Sequence, residues 1–294
     1  MSAYTIIIIA DVLLAVMFAF QKKYQDKAGT SLKASLIYTI LSGSFSAAIF
    51  FVINGFTVRV TLFSMVMAIL FSAVITAYVL IGFRVMKEGN MSVYTLFLMS
   101  GGMTVPYIYG VLFLNEELTL LRTLGLFLII GAIAVSNFRK GNVNRKQIFL
   151  CIAVFLLNGA ASVISKAHQV SNPSQMVSSS DFVFLATISK VTLSILALLF
   201  CQKQKGKADK TDSKMVPLGS VILLILMAAI ADGTSYLLQL MGAVNIPATV
   251  LYPLITGGTI VLSSLVDLVV FREKFTIRQT VGTGIVFLGT LMFL

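Results

Sequence analysis

The sequence predicts an all-α membrane protein: ten transmembrane helices arranged as two inverted five-helix repeats. Three observations predict it. Hydrophobic residues make up 58% of the 294 residues and charged residues only 11%, with a mean hydropathy of +0.97, far from the composition of a soluble domain. A spanning helix needs about 20 mostly apolar residues, and ten such stretches follow one another with little chain left between them. The later five then repeat polar landmarks of the first five, and five spans per half force the second half to sit upside down relative to the first.

The first stretch, 4–21, follows no basic region and runs into Gln21, Lys22 and Lys23 rather than a small-residue cleavage pattern, so it reads as a helix and not as a signal peptide. The second, 34–53, carries a regular row of Ser35, Thr39, Ser42 and Ser46, read as lying outside any cavity. The third, 61–83, holds Tyr78. The fourth, 91–114, holds Gly101-Gly102 and Pro106, which permit close helix contact and a bend. Glu116 precedes the fifth, 118–138, where a carboxylate can cap exposed helix amides. The sixth, 147–166, spaces Asn158, Ser162 and Ser165 on one face, and beyond it His168, the single histidine, reads as a surface residue.

The seventh, 181–201, has Lys190 midway. In the eighth, 216–241, Asp232, Ser235, Tyr236 and Gln239 fall at i, i+3, i+4 and i+7, one polar stripe on an apolar span. The ninth, 246–271, has Tyr252, Thr256, Thr259 and Ser263 in a similar row, extended by Asp267, which is expected to pair locally with Arg272. It also carries Pro253 and Gly257-Gly258. The tenth, 276–294, follows Glu273, read in the same way as Glu116. Cys151 and Cys201 lie within spans, where free cysteines behave as small hydrophobes. The longest hydrophilic piece, 202–214, reads as a basic solvated loop, which leaves a first repeat over 1–138 and a second over 139–294.

The repeat rests on matched residues. Gln21-Lys22-Lys23-Tyr24-Gln25 lines up with Ser165-Lys166-Ala167-His168-Gln169, and Tyr78 with Tyr236. Gly101-Gly102 meets Gly257-Gly258, and Glu116, Thr119, Thr123 and Gly125 meet Glu273, Thr276, Thr280 and Gly282. Inverted repeats of this kind are typical of secondary transporters, with the substrate held near the bilayer midplane between the halves. The stretches from Asn115-Glu116 through Gly125 to Gly131, and from Arg272-Glu273 through Gly282 to Gly289, resemble the repeat ending of the EamA-type drug/metabolite transporter superfamily, as does Pro253 after Leu251-Tyr252. The first half departs from that pattern, with Phe97 at the position matching Pro253 and Pro106 further along. The resemblance implies a ten-helix carrier that moves a small organic metabolite, amino acid or drug, usually outward, with its termini in the cytoplasm.

The charge pattern points the other way on orientation. Lys and Arg favour cytoplasmic loops. All of them here fall in the odd-numbered connections except Arg59, Arg122, Lys166 and the intrahelical Lys190, which puts both termini outside a bacterial inner membrane. The net charge of +11 then reads as a cytoplasmic face against anionic lipid, and not as a nucleic-acid surface.

Polar groups in hydrocarbon are costly and should face a cavity or one another. The expected substrate site is therefore Asp11, Tyr78, Asn158, Asp232, Tyr236, Gln239, Tyr252 and Thr256. Asp11 and Asp232 would take a proton or a cationic group, with Lys190 the partner of a purely structural ion pair. Ser and Thr in such helices also bond their own backbone. No Gly-Lys-Ser or Gly-Lys-Thr phosphate loop occurs and no His/Cys cluster, so no ATP, cofactor or metal is expected. The expected partners are a small-molecule substrate and the bilayer, in a monomer or homodimer. The alternative is a non-transporting membrane protein, a lipid-modifying enzyme or a structural partner. An enzyme would need a nucleophile and base converging at one depth, and the sequence offers scattered carboxylates.

Overall fold

The computed structural model describes residues 2–87, 91–137, 145–204 and 218–294. Among them the chain forms ten helices and no strand: α1 (Ala3–Ala28), α2 (Leu32–Ile53), α3 (Leu62–Lys87), α4 (Met91–Phe113), α5 (Leu120–Asn137), α6 (Arg145–Gln169), α7 (Ser179–Gln204), α8 (Leu218–Asn245), α9 (Ala248–Val269) and α10 (Ile277–Leu291). Most of the basic loop at 202–214 and the boundary between the two halves lie outside the described residues.

Local chemistry sets several helix ends. The Ser2 and Ser31 side chains accept from the amides of Thr5 and Ala34 and start α1 and α2. Gly29, at φ 80°, ends α1. Thr276 starts α10 in a reciprocal capping box with Gln279.

Among the described residues, eight of the ten helices are long and apolar enough to cross a membrane, α5 and α10 falling outside that set. These hold 18 and 15 residues, about 27 and 22 Å of helix, against a hydrocarbon core of about 30 Å. The stretch expected at 276–294 is thus trimmed at both ends, and that expected at 118–138 begins at Leu120. The two short helices pack on each other, where Gly125 faces the Gly289 carbonyl and Phe293, and Gly282 faces Ser136.

The packing has a regular order. Helix α1 lies on α8 and α9, and α6 on α3 and α4; α2 lies on α7 and α8, and α7 on α2 and α3; α4 meets α9 and α5 meets α10. Exchanging every helix for the one five places along the chain leaves this set of pairings unchanged. The closures after α4 and α9 match as well. Asn115 and Arg272 take left-handed φ values of 52° and 53°, and the next amide, that of Glu116 or Glu273, donates back six residues to the Gly110 or Asp267 carbonyl, at 3.1 Å in both cases.

Both termini sit at one end of the bundle. A buried cluster there joins Ile7, Met103, Tyr107, Ile129, Leu251 and Phe293. His168 lies at the same end and is fully buried, not a surface residue. The segment after α6 folds back on the start of α3, with the Val177 amide donating to Ser64 Oγ at 3.1 Å and Thr61 bonding the Gln175 carbonyl. That closes the imidazole between Phe63 and Phe182, with Nε2 2.8 Å from Ser64 Oγ.

Candidate functional site

A cavity of about 440 Å³ lies in the middle of the bundle. Its wall comes from α1–α4 and α6–α9, the first four helices of each half, while α5 and α10 stand outside it. Seven of the eight residues expected at the site line it: Tyr78, Asn158, Asp232, Tyr236, Gln239, Tyr252 and Thr256. Of the two polar rows, Asp232, Tyr236 and Gln239 in α8 and Tyr252, Thr256 and Thr259 in α9 face the cavity, whereas Ser235 bonds the Ala10 carbonyl, Ser263 bonds the Ile260 carbonyl and Asp267 pairs with Lys22.

Asp11 is placed differently. It is 3% exposed and off the wall, one hydroxyl behind it: Thr259, which does line the cavity, donates to Asp11 Oδ1 at 3.4 Å. Gly258 makes room for it, since a Cβ there would meet the carboxyl group. Among the described residues no cation lies within ion-pair distance of Asp11. Ser46, expected outside the cavity with the rest of its row, lines it, and so do Phe18, Phe71 and Lys190. Phe71 gave no signal, because an apolar ring is unremarkable in a membrane helix whichever way it faces.

Most polar groups of the wall are already committed to the protein. Asn158 Nδ2 donates to the Leu98 carbonyl at 2.7 Å and holds α6 to α4. Tyr252 donates to the Ser162 carbonyl at 2.6 Å, and Tyr236 shares a 2.9 Å hydrogen bond with Ser165 while stacking on Phe71. Gln239 donates to Ser235 Oγ, which donates on to the Ala10 carbonyl. Several hydroxyls bond the backbone one turn before them as expected, Thr187 to Val183 on the wall and Thr39 to Ser35 and Thr123 to Thr119 elsewhere.

Lys190 and Asp232 form the ion pair of the wall. They meet across α7 and α8 at 3.6 Å, beyond direct hydrogen-bond reach, with side chains 24% and 39% exposed. Tyr38, Tyr78 and Tyr236 are close enough to sense the Asp232 charge. The wall thus combines one loosely paired set of charges with apolar and aromatic surface from Leu14, Phe18, Phe71, Ile75, Met99 and Ile260.

Toward the end that carries the termini the wall is buried at Ser165, Val183, Leu240, Ala243, Leu251 and Tyr252. Two charged groups tie that end together. Helix α9 begins at Pro247, which has no capping side chain, and Glu116 supplies the missing acceptors: Ala248 and Thr249 donate their amides to its two carboxylate oxygens at 2.6 and 2.8 Å. The carboxylate caps a helix, as expected, but in the other half of the chain. Lys166, 3% exposed, donates to the Ala243 and Ile246 carbonyls at 2.7 Å each, closing the end of α8. At the opposite end the matching residues bond each other. Lys22 donates to Glu273 at 2.8 Å and to Asp267 at 2.6 Å, and lies over the Phe271 ring. Asp267 therefore pairs with Lys22 across α1 and α9 and not with Arg272, whose left-handed backbone belongs to the turn after α9.

A polytopic helical bundle enclosing a central cavity between its two halves is the architecture of a membrane transport protein. The EamA-like transporter family matches residues 145–294, half of the chain, and the protein belongs to that family, within the drug/metabolite transporter superfamily. Twenty-eight chains of solved structures match it. One of them, described only as "Crystal structure of protein", aligns over 99% of this chain and 96% of its own with a TM-score of 0.76 at 15% identity, a likeness of fold alone. No curated protein matches the sequence.

Proposed function

We propose that the protein is a secondary carrier that exports a small organic molecule by alternating access, using two inverted repeats, 1–138 and 139–294. The observation that carries this reading is the cavity itself: its wall is drawn from the first four helices of both halves, and it holds an ion pair at mid-helix depth. The pairing order of the helices and the matched closures after α4 and α9 support the repeat.

Alternating access follows from the two ends. Glu116 and Lys166 clamp the α8–α9 junction and shut the cavity toward the termini, while their repeat mates Glu273 and Lys22 bond one another. Exchange of these two arrangements opens one end as it closes the other. Asp11, buried behind Thr259 with no cation beside it, is the proposed proton site, because a lone buried charge is costly and a carboxyl can lose that charge by binding a proton. In this reading the basic connections face the cytoplasm and the termini lie outside, as the preference of Lys and Arg for cytoplasmic loops supports.

The test is uptake and counterflow in proteoliposomes, with a broad panel of metabolites and with or without a pH gradient. Movement of at least one compound above protein-free liposomes is expected; movement of none overturns the carrier reading.

A further inference from the structure

We propose that the closure between α9 and α10 is a head-group site for an anionic phospholipid, held by Arg272, Lys274 and Arg278. The site lies outside the central cavity and does not depend on the carrier reading.

The chain contains its own control for this closure. The turns after α4 and α9 share one backbone: a left-handed residue, Asn115 at φ 52° or Arg272 at φ 53°, and then a glutamate whose amide donates back six residues at 3.1 Å. Counted from that residue, Asn115, Glu117 and Leu121 of one copy correspond to Arg272, Lys274 and Arg278 of the other, and all six are exposed. The same turn therefore forms without any of the three cations, so folding does not account for them. At the left-handed position the exchange works against folding, because the short polar side chain of Asn tolerates positive φ better than Arg does.

Pairing within the protein does not account for them either. Among the described residues none of the three has an ion-pair partner, and the neighbouring carboxylates of Asp267 and Glu273 are both held by Lys22. The copy toward the termini is balanced, with Glu116 and Glu117 against Arg122 and Lys166, whereas the copy after α9 keeps an excess of positive charge. Apolar side chains flank that charge. Leu268, Val269 and Val270 at the end of α9 and Ile277 and Val281 at the start of α10 are all exposed. Cations at the margin of a bare apolar surface fit an amphiphile, with its phosphate on the guanidinium and ammonium groups and its acyl chains along the helices. A free phosphate would meet only the first of these two surfaces.

The experiment is calorimetric binding to the purified full chain in neutral maltoside micelles, with dioctanoyl phosphatidylglycerol, dioctanoyl phosphatidylcholine and glycerol phosphate as probes. Phosphatidylglycerol is expected to bind at least about tenfold tighter than either of the others. A triple variant, Arg272→Asn with Lys274→Glu and Arg278→Leu, installs the residues of the other closure and should bring the two lipids within about twofold of each other. Arg272→Asn alone, at a position where Asn suits the backbone, should weaken phosphatidylglycerol at least about threefold, and it decides the matter if the triple variant does not fold. Lys33→Gln with Arg145→Gln removes two other exposed cations at the same end and should leave the preference within about twofold of the parent. The proposal is overturned by a parent with no preference for phosphatidylglycerol, by a preference that survives the triple variant, or by an equal loss in the Lys33 and Arg145 variant, which would reduce the cations to general surface charge. Glycerol phosphate binding as tightly as the lipid overturns it too, since the ligand would then be a soluble anion.

Discussion

Replacing Glu116 by alanine removes the two carboxylate oxygens that accept from the Ala248 and Thr249 amides at the start of α9, donors that no side chain of the Pro247 cap can satisfy. Charge-assisted hydrogen bonds contribute about 1.5–3 kcal/mol each. The carboxylate is only half-buried, so water can partly replace it and the lower figure applies. Two bonds then give about 3 kcal/mol, roughly a hundredfold in the folding equilibrium. Glu116→Gln keeps one acceptor oxygen and should lose about half as much. The neighbouring Glu117→Ala, at an exposed position, should stay within about 0.5 kcal/mol of the parent. The assay is reversible unfolding in mixed micelles followed by circular dichroism. A second readout uses Ser165→Cys, on the cavity wall near the shut end, in a background without Cys151 and Cys201. Releasing the clamp with Glu116→Ala should raise its labelling from the side that carries the termini. An alanine variant as stable as the parent, with unchanged labelling, would refute the assignment of Glu116 as the cap and clamp of α9.

Four further outcomes follow from the same contacts. Gly101→Ala sets a Cβ against the Phe155 backbone, 2.7 Å from its Cα and carbonyl carbon, where no side chain can swing away; a loss of about 1–3 kcal/mol by the same unfolding assay is expected. Lys22→Met breaks two ion pairs, but the three side chains are 32%, 33% and 50% exposed, so the loss should stay below about 1 kcal/mol and shrink further in high salt. Asp11→Asn keeps the shape that fits Gly258 and Thr259; it should leave ligand affinity within about twofold while abolishing any response of counterflow to an imposed pH gradient, and a retained response excludes Asp11 as the proton site. Ser2→Cys, beside the first helix, should react with a membrane-impermeant maleimide on intact spheroplasts if the basic connections face the cytoplasm, and protection from it would reverse the orientation.

Much of this protein was legible from one dimension. Apolar length and helical period are local properties, so ten helices, their approximate limits and the polar faces of α8 and α9 followed from the sequence, and seven of the eight expected residues reached the cavity wall. Family resemblance was legible in the doubled closures around Asn115-Glu116 and Arg272-Glu273, whose backbone geometry then proved to be the same in both halves. What the sequence left open was how each face is shared among neighbours. The row in α2 looked like a packing stripe, yet Ser46 reaches the cavity. Asp11 looked like a wall residue, yet α9 covers it, because Gly258 lets the two helices close over the carboxyl group.

The charged groups make the same division. Composition and periodicity determined that this chain lives in a membrane, that it is built of ten helices, and which carboxylates and rings were available for a site. Only the tertiary structure decided the partners: Lys190 with Asp232, Lys22 with Asp267 and Glu273, Glu116 with the start of α9, and His168 with Ser64 in a closed aromatic slot. The physical reason is that helix formation is satisfied within each segment by its own backbone, whereas a charge in a low-dielectric interior is satisfied by whichever group packing brings within a few ångströms, and in this fold that group lies up to 251 residues away.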